Sequence, residues 1–219
     1  SKNPDFISME ESKSIIAFRE AGYKLQLELQ KNVLDSFGTH FDVWFSERSL
    51  YENNFFDHTL DKLKSNGHVY EQEGAVWLRT TDFGDDKDRV MIKSDGSFAY
   101  FASDSAYYIS KRERGFNLCI YMLGADHHGY VGRIKAIAAC AGDDQDKDVE
   151  ALIGQMVKII EGGEELKLSK RAGTIITLEE LVEKVGIDAA RYTLIRYPTD
   201  TPMVMAVDLL KKITNDNPV

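Results

Sequence analysis

The residues best suited to chemistry lie in one short segment, residues 124–129, which has the sequence GADHHG. A continuous apolar run at residues 118–123 precedes it and predicts a strand buried on both faces. From Val131 onward the apolar residues fall at helical spacing. The segment is therefore predicted to be the turn between a strand and a helix. Ligands bind at this end of the strands in parallel α/β sheets, and the helix amino terminus that follows favours anions.

Within this turn, Gly124 and Asp126 could bind the ribose of a nucleotide. A carboxylate can accept hydrogen bonds from two hydroxyls, and a glycine lets the sugar approach the backbone. His127 and His128 cannot both face one ligand if the backbone is extended, so we expect one functional histidine rather than a two-histidine metal site. The alternative is a loop in which Asp126 caps the helix and both histidines are solvated.

A second candidate site is the basic segment KLSKR, residues 167–171, which precedes Gly173. Lys167 and Lys170, with the hydroxyl of Ser169 and a flexible glycine nearby, could fold over a polyphosphate. Lysine supplies a movable positive charge where negative charge develops in phosphoryl or adenylyl transfer. By composition alone a basic surface loop is the more common structure. The position of the segment after a predicted strand favours the phosphate site.

A third candidate is the pair formed by Tyr100 and Asp104. At a spacing of four residues they share one face of a helix, provided that the helix has begun by Tyr100. A carboxylate beside a phenol suits a planar cation, because a guanidinium binds a carboxylate through two parallel hydrogen bonds. The alternative is that Asp104 or Ser103 only caps the amino terminus of the helix.

Length and composition limit the classes of protein. The 219 residues suffice for one large or two small domains, and 43% apolar residues suffice for a core. We find no apolar run of membrane-spanning length and no apolar stretch near the start that would indicate a signal peptide. Cys119 and Cys140 are predicted to be small buried side chains in a protein of the reducing cytoplasm. The net charge of −9 argues against tight binding of a nucleic-acid backbone by this chain alone.

The remaining pattern predicts alternating helices and strands around a small module at residues 47–97. A capping box at Ser8 predicts a first helix, and a second is predicted to follow Gly22 and to end at Gly38. The other predicted strands are residues 41–45, 69–72, 75–79, 89–93 and 152–160. The other predicted helices are residues 56–63, 178–185 and 187–196, and residues 98–101 are predicted to lead into a helix that extends to Gly115. Residues 142–148 are predicted to be an acidic loop and residues 161–167 a mobile turn.

Together these segments closely resemble the arginyl-tRNA synthetases, a family of class I aminoacyl-tRNA synthetases. The resemblance extends over almost the whole chain and rests on several blocks in the same order. These blocks are FDVWFSERSLYE, GAVWLRTTDFGDDKDRV, SDGSFAYFASDSAYY, LGADHHGYVGRIKA, KLSKRAGT, VGIDAARY and NDNPV. KLSKR is similar to the KMSKS signature of the family, with Leu168 in place of Met and Arg171 in place of the last Ser.

The resemblance implies an α/β fold with the later strands of a class I Rossmann-type parallel sheet. Residues 41–45 would be the third strand of that sheet, and residues 118–123 and 152–157 the fourth and fifth. The resemblance also divides the chain into four segments. Residues 1–46 would hold the end of a first insertion with a helix and the third strand, and residues 47–97 an α+β insertion. Residues 98–163 would be the second half of the Rossmann domain, and residues 164–219 the KMSKS-like loop and the helices after it.

The resemblance also implies a reaction and a set of site residues. Arginine and ATP, with Mg²⁺ as part of the ATP complex, would give arginyl-adenylate and pyrophosphate, and the arginyl group would pass to tRNA(Arg). Tyr100 and Asp104 would bind the substrate guanidinium, and His128 would flank the amino acid. ATP would contact Gly124 and Asp126 through its ribose, and the backbone near Met156 and Val157 through its adenine. Lys170, with Lys167 and Ser169, would stabilise the pyrophosphate in the transition state. No residue is predicted to bind a resident metal.

The departures from the family pattern are as informative as the matches. The HIGH motif is missing, and so is the amino-terminal domain that contacts tRNA. The chain ends where the helical anticodon-binding domain would begin. We therefore expect a central fragment, monomeric and not membrane-bound, that is inactive alone because half of the ATP site is absent. The alternatives are a degenerate nucleotide-binding module and a phosphoesterase with an Asp-His-His metal motif. A dinucleotide dehydrogenase is disfavoured because GADHHG lacks the spacing GxGxxG.

Overall fold

The computed structural model describes residues 6, 8–52, 54–166, 176–212 and 214, and these form two compact units. One unit contains the described residues before Trp44, together with those of 158–197 and those from Val204 onward. The other unit contains the described residues of 44–157 and 198–203. The predicted division into four segments stays a prediction. In the part of the chain that the structure describes, no helix is both long and apolar enough to cross a membrane.

The first unit begins with a single long helix, α1 (Glu11–Ser36, 26 residues). The prediction of two helices divided near Gly22 was wrong, and so was the capping box at Ser8, because Glu10 is the N-cap residue. A glycine inside a helix costs about 1 kcal/mol but keeps its backbone N–H, so it does not interrupt the hydrogen bonding of a helix this long. The predicted stop is confirmed: the chain turns at Gly38, whose φ is +72°.

Residues 41–45 do not form the predicted strand. A strand needs a hydrogen-bonded neighbour, and none of the described sheets includes this segment. Its apolar side chains Phe41 and Val43 are more than half exposed. The β-branched and aromatic residues that suggested a strand therefore indicate only an extended segment here.

The second unit contains the predicted α+β module, and the structure confirms it. Its elements are α2 (Arg48–Glu52), α3 (Phe55–Ser65), β1 (Val69–Gln72), β2 (Ala75–Leu78) and β3 (Arg89–Ile92). The three strands form an antiparallel sheet in the order β1-β2-β3. Glu73 and Gly74 form the hairpin turn, with φ values of +53° and +74°. Two consecutive left-handed residues match the twist of a two-residue hairpin.

The same unit contains the strand–turn–helix–strand part of a Rossmann-type fold. Its elements are α4 (Tyr100–Glu113), β4 (Cys119–Gly124), a short 3₁₀ helix (Ala125–Tyr130), α5 (Val131–Cys140) and β5 (Val149–Gly154). Strands β4 and β5 pair in parallel, from Cys119 opposite Val149 to Gly124 opposite Gly154. The predicted turn at residues 124–129 therefore lies at the carboxyl end of a parallel strand, as expected.

The core of this unit lies between α3, α4, α5 and the strands that they cover. Leu63, Leu78, Met91, Tyr108 and Ile137 are each at most 1% exposed. Cys119 and Cys140 are buried free thiols, as predicted. Strand β4, however, is not buried on both faces, because Ile120 and Met122 are 49% and 78% exposed.

The segment predicted as one strand at residues 152–160 is two strands, because its backbone changes partner at Gln155. There the Gln155 N–H donates to the carbonyl of Thr199 (2.8 Å) and the Met156 carbonyl accepts from Met203 (3.4 Å). The chain then continues in β6 (Val157–Glu161), β7 (Glu164–Glu165), α6 (Leu178–Val185), α7 (Ile187–Ile195), β8 (Met203–Ala206) and α8 (Val207–Leu210). The sheet order is β7-β6-β8, and Gly162 and Gly163 form the tight turn between β6 and β7.

Candidate active site

One cavity of about 400 Å³ in the second unit contains residues of two predicted sites, namely the pair Tyr100 and Asp104, and His127 from the turn after β4. The other predicted residues of that turn, Gly124, Asp126 and His128, are not among the residues that line this cavity. Its walls come from the loop before α2, the first turns of α4, the end of β4 and the 3₁₀ helix that follows. The residues that line it are Glu47, Tyr100, Ser103, Asp104, Leu123, His127 and Tyr130. The carboxyl end of a parallel strand and the start of a neighbouring helix thus enclose one hollow, the usual position of ligand sites in this class of fold.

Tyr100 and Asp104 lie on the same face of α4, as their spacing predicts. Helix α4 begins at Tyr100, whose side chain is 93% exposed and available to a ligand. The N-cap residue of α4 is Ala99, and no side chain caps this end of the helix. The alternative in which Asp104 or Ser103 serves only as a cap was therefore wrong. Ser103 instead shares a hydrogen bond with the hydroxyl of Tyr51 (3.2 Å).

The carboxylate of Asp104 is held in a half-buried environment. Its Oδ2 atom accepts a hydrogen bond from the hydroxyl of Tyr130. Burial raises the pKa of Asp104, while the hydrogen bond from Tyr130 and the nearby charge of Arg133 act in the opposite direction. A partly desolvated carboxylate of this kind gains most from a ligand that brings both positive charge and N–H donors.

Glu47 is a second carboxylate in the same cavity, and it was not among the predicted site residues. It stands in an irregular segment just before α2, where no periodic pattern assigns its side chain to a face. Its distance from Asp104 along the chain also gives no indication that the two share a site. Two carboxylates with a tyrosine at the rim make the hollow acidic, which favours a cation over an anion.

In the turn after β4, the carboxylate of Asp126 lies close to the backbone of Gly124. A Cβ atom placed on Gly124 would lie 2.7 Å from Oδ1 of Asp126, so the carboxylate folds back closely over the glycine backbone. Asp126 does not cap the helix that follows: the N-cap residue of α5 is Tyr130. The side chain of Asp126 is 81% exposed, with His127 Nε2 3.6 Å from its Oδ2 atom. This surface pair is worth little by itself, which leaves the carboxylate free to exchange partners.

Both histidines of the turn are exposed, but only His127 lines the cavity. His128, which the family resemblance assigns to the amino acid, is not among the described residues that line it, so that assignment stays a prediction. In the described part of the chain, no group of three or more histidine, cysteine or acidic side chains is arranged to hold a metal ion. The side chains that an Asp-His-His metal site would use therefore form no such cluster there.

The remaining predicted residues fall into two groups. Met156 lies two residues beyond β5, whose carboxyl end pairs with that of β4 at the same sheet edge, and Val157 is the first residue of β6. Met156 is 65% exposed, and its carbonyl already accepts the bond from Met203. Lys167, Ser169 and Lys170 lie outside the described residues, so the predicted phosphate site stays a prediction.

Comparison with known proteins identifies relatives over nearly the whole chain. The sequence model described as tRNA synthetases class I (R), catalytic domain, matches residues 9–216. Two curated relatives named arginine–tRNA ligase, from Frankia alni and Micrococcus luteus, are each 50% identical to the chain. The alignments cover 99% and 100% of this chain but only 39% and 38% of those relatives.

Solved structures agree with the sequence relatives. A Campylobacter jejuni protein provisionally named as an arginyl-tRNA synthetase is 36% identical, with a TM-score of 0.86 over 96% of this chain and 45% of its own. Arginyl-tRNA synthetase from Thermus thermophilus is 12% identical with a TM-score of 0.66 over 99% of this chain and 47% of its own, a likeness of fold alone. The chain thus spans about two fifths of the length of the curated relatives that it matches.

Proposed function

The chain belongs to the family of class I arginyl-tRNA synthetases, and we propose that it is a central part of the catalytic domain of an arginine–tRNA ligase. The reaction would join the carboxylate of arginine to the α-phosphate of ATP, release pyrophosphate, and pass the arginyl group to tRNA(Arg). The chain covers less than half of its curated relatives, so the complete activity is proposed for the full-length ligase. The predicted cytoplasmic location and monomeric state stay predictions.

One observation carries the assignment of arginine: the acidic cavity that contains Asp104 and Glu47. A guanidinium supplies positive charge and a planar set of N–H donors, which matches a half-buried carboxylate better than a compact ammonium does. Tyr100 at the rim offers a ring face and a hydroxyl to the same group. The cavity supports His127 as the histidine nearest to the amino acid, although the family pattern assigns that part to His128.

The nucleotide would bind along the neighbouring sheet edge. The approach of Asp126 to Gly124 supports the proposed ribose site, because a side chain at residue 124 would obstruct that carboxylate. Adenine would contact the backbone near Met156 and Val157. Lys170, with Lys167 and Ser169, would stabilise the charge that develops on the departing pyrophosphate. Mg²⁺ would enter with ATP as part of the substrate, and we assign no described residue to it.

A substitution at the centre of the cavity tests the proposal. In the full-length ligase, Asp104→Asn should raise the KM for arginine by roughly 30-fold or more, because losing a charged hydrogen-bond partner costs about 2 kcal/mol. The KM for ATP should stay within about twofold of the wild-type value, because the substitution lies in the arginine cavity and not at the proposed ATP site. A twofold change corresponds to less than about 0.5 kcal/mol of binding free energy. Steady-state pyrophosphate exchange with varied arginine and varied ATP measures both constants.

The matched control is Asp61→Asn, the same chemical change at an exposed residue of α3. It should leave both constants unchanged. An unaltered arginine KM in Asp104→Asn would contradict the proposed arginine site.

We also propose that this chain alone does not form arginyl-adenylate. It lacks the HIGH motif, and catalysis requires both halves of the ATP site in register. Pyrophosphate exchange measured on the isolated chain, with arginine, ATP and tRNA present, should stay at the background rate. Exchange at the rate of a full-length ligase would overturn this expectation. If the full-length protein also shows no pyrophosphate exchange, the result would favour the alternative that the chain is a degenerate nucleotide-binding module.

A further inference from the structure

We propose that Tyr130 is a positioning residue of the arginine site, whose hydroxyl fixes the Asp104 carboxylate in the orientation that a guanidinium needs. The inference rests on the proposed function, because it concerns the same cavity and the same substrate. Tyr130 is the N-cap residue of α5, at the end of the GADHHGY segment, and its side chain reaches Asp104 on α4. The contact therefore joins two of the elements that line the cavity.

The geometry leaves a defined set of acceptor sites on Asp104. The Tyr130 hydroxyl donates to Oδ2 and so restricts rotation of the carboxylate about its Cβ–Cγ bond. A carboxylate has about four acceptor directions, so Oδ1 and one direction of Oδ2 stay available to a ligand. Two available oxygens in a fixed plane match the parallel N–H groups of a guanidinium. A carboxylate free to rotate would have to be ordered by the substrate itself, which weakens binding.

Arg133 supports Tyr130 from the first turn of α5. Its guanidinium carbon lies 5.1 Å from the centre of the Tyr130 ring, within the range of cation–π contacts. The Nε atom of Arg133 is buried and has no hydrogen-bond partner, so packing against the ring rather than a hydrogen bond holds this part of the side chain. The charge of Arg133 also acts on Asp104 and favours its ionised form.

The arrangement has a consequence for pH dependence, because only the ionised Asp104 can bind a guanidinium strongly. Burial raises the pKa of Asp104, and the Tyr130 hydrogen bond and the Arg133 charge oppose that rise. Removal of the Tyr130 hydroxyl should therefore raise the pKa further, so that arginine binding is lost at a higher pH as the solution is acidified. The other titratable or charged groups around Asp104 are Glu47, Tyr100, Tyr121, His127 and Arg133.

The test is Tyr130→Phe in the full-length ligase, which removes one oxygen and keeps the ring. The KM for arginine should rise about 10-fold, as expected for loss of a hydrogen bond to a charged group, with kcat unchanged at saturating arginine. The acid limb of kcat/KM for arginine should move to higher pH. Tyr70→Phe is the matched control, because the Tyr70 hydroxyl donates to Asp88 (2.9 Å) in the α+β module and not at the cavity. It should change neither constant nor the pH profile.

The outcomes for these variants distinguish failure of the inference from failure of the proposed function. A normal arginine KM in Tyr130→Phe overturns the inference, as does a loss of kcat with no movement of the acid limb, which indicates a structural role only. If Asp104→Asn raises the KM and Tyr130→Phe does not, the inference fails while the proposed function stands. If Asp104→Asn itself leaves the KM unchanged, the proposed function fails. Arg133→Gln provides a second variant, and an unmoved acid limb in that variant also counts against the inference.

Discussion

A buried ion pair between Asp85 and Arg89 determines how the acidic segment of the α+β module is held. Arg89 donates to both oxygens of Asp85, each at 2.7 Å, and also contacts Asp86. The side chains of Asp85 and Arg89 are only 4% and 10% exposed. Burial by itself would raise the pKa of Asp85, but the hydrogen bonds from Arg89 and from the Asp86 N–H lower it to about 2.

This pair leads to a stability prediction for Asp85→Asn. The change removes the buried counter-charge of the Arg89 guanidinium and leaves only the exposed carboxylate of Asp86, so it should lower the free energy of unfolding by about 3 kcal/mol at neutral pH. Since the folded pKa lies below the unfolded value of about 3.9, the contribution of Asp85 is present above that pH. It is lost progressively as the pH falls from about 4 towards 2.

Urea unfolding of the chain, followed by circular dichroism at pH 7 and near pH 3, measures both effects. Asp61→Asn, on the exposed side of α3, serves as the control and should behave like the unchanged chain. Equal stability of Asp85→Asn and the control at pH 7 would contradict the assigned contribution of the ion pair.

At the same scale, the sequence could predict those site residues that one local element brings together. Tyr100 and Asp104 share a helix face by their spacing, and Gly124 and Asp126 share one turn. Glu47 and Tyr130 could not be found in this way, because their places at the cavity depend on packing between elements that are distant along the chain. Only the tertiary structure places a second carboxylate in the cavity of Asp104 and brings the Tyr130 hydroxyl into hydrogen-bond contact with Asp104.

At the scale of elements, prediction succeeded where a local signal and the hydrogen-bond partner were both present. The hairpin at Glu73 and Gly74 and the parallel pair β4 and β5 are examples. Prediction failed where the hydrogen-bond partner of a segment decides whether that segment forms a strand. The segment 41–45 has strand-forming residues but no place in a described sheet, and the strand predicted at 152–160 divides where its backbone pairs with residues 199 and 203.

Helix α1 shows the limit of a rule based on single residues. Gly22 was expected to divide it, yet the helix continues for 26 residues. None of its described side chains is buried, and its apolar residues include Ile15, Phe18 and Leu25, each more than half exposed. A buried apolar face therefore does not explain its continuity in the described structure.

At the scale of the whole molecule, the cavity and the proposed nucleotide edge lie within one compact unit, the one that contains residues 44–157. The arginine site can therefore be argued from one unit alone. The basic segment at residues 167–171 lies outside the described residues, so its part in the reaction rests on resemblance to the family. The sequence predicted the family correctly because many short blocks matched in order, which is a stronger signal than any one motif.

The most direct test of the central claim is a crystal structure of the full-length ligase with arginine bound. We expect the substrate guanidinium to lie within hydrogen-bond distance of the Asp104 carboxylate, in the cavity shared with Glu47, Tyr100 and Tyr130. Arginine bound with its guanidinium elsewhere, and Asp104 still paired only with Tyr130, would contradict it.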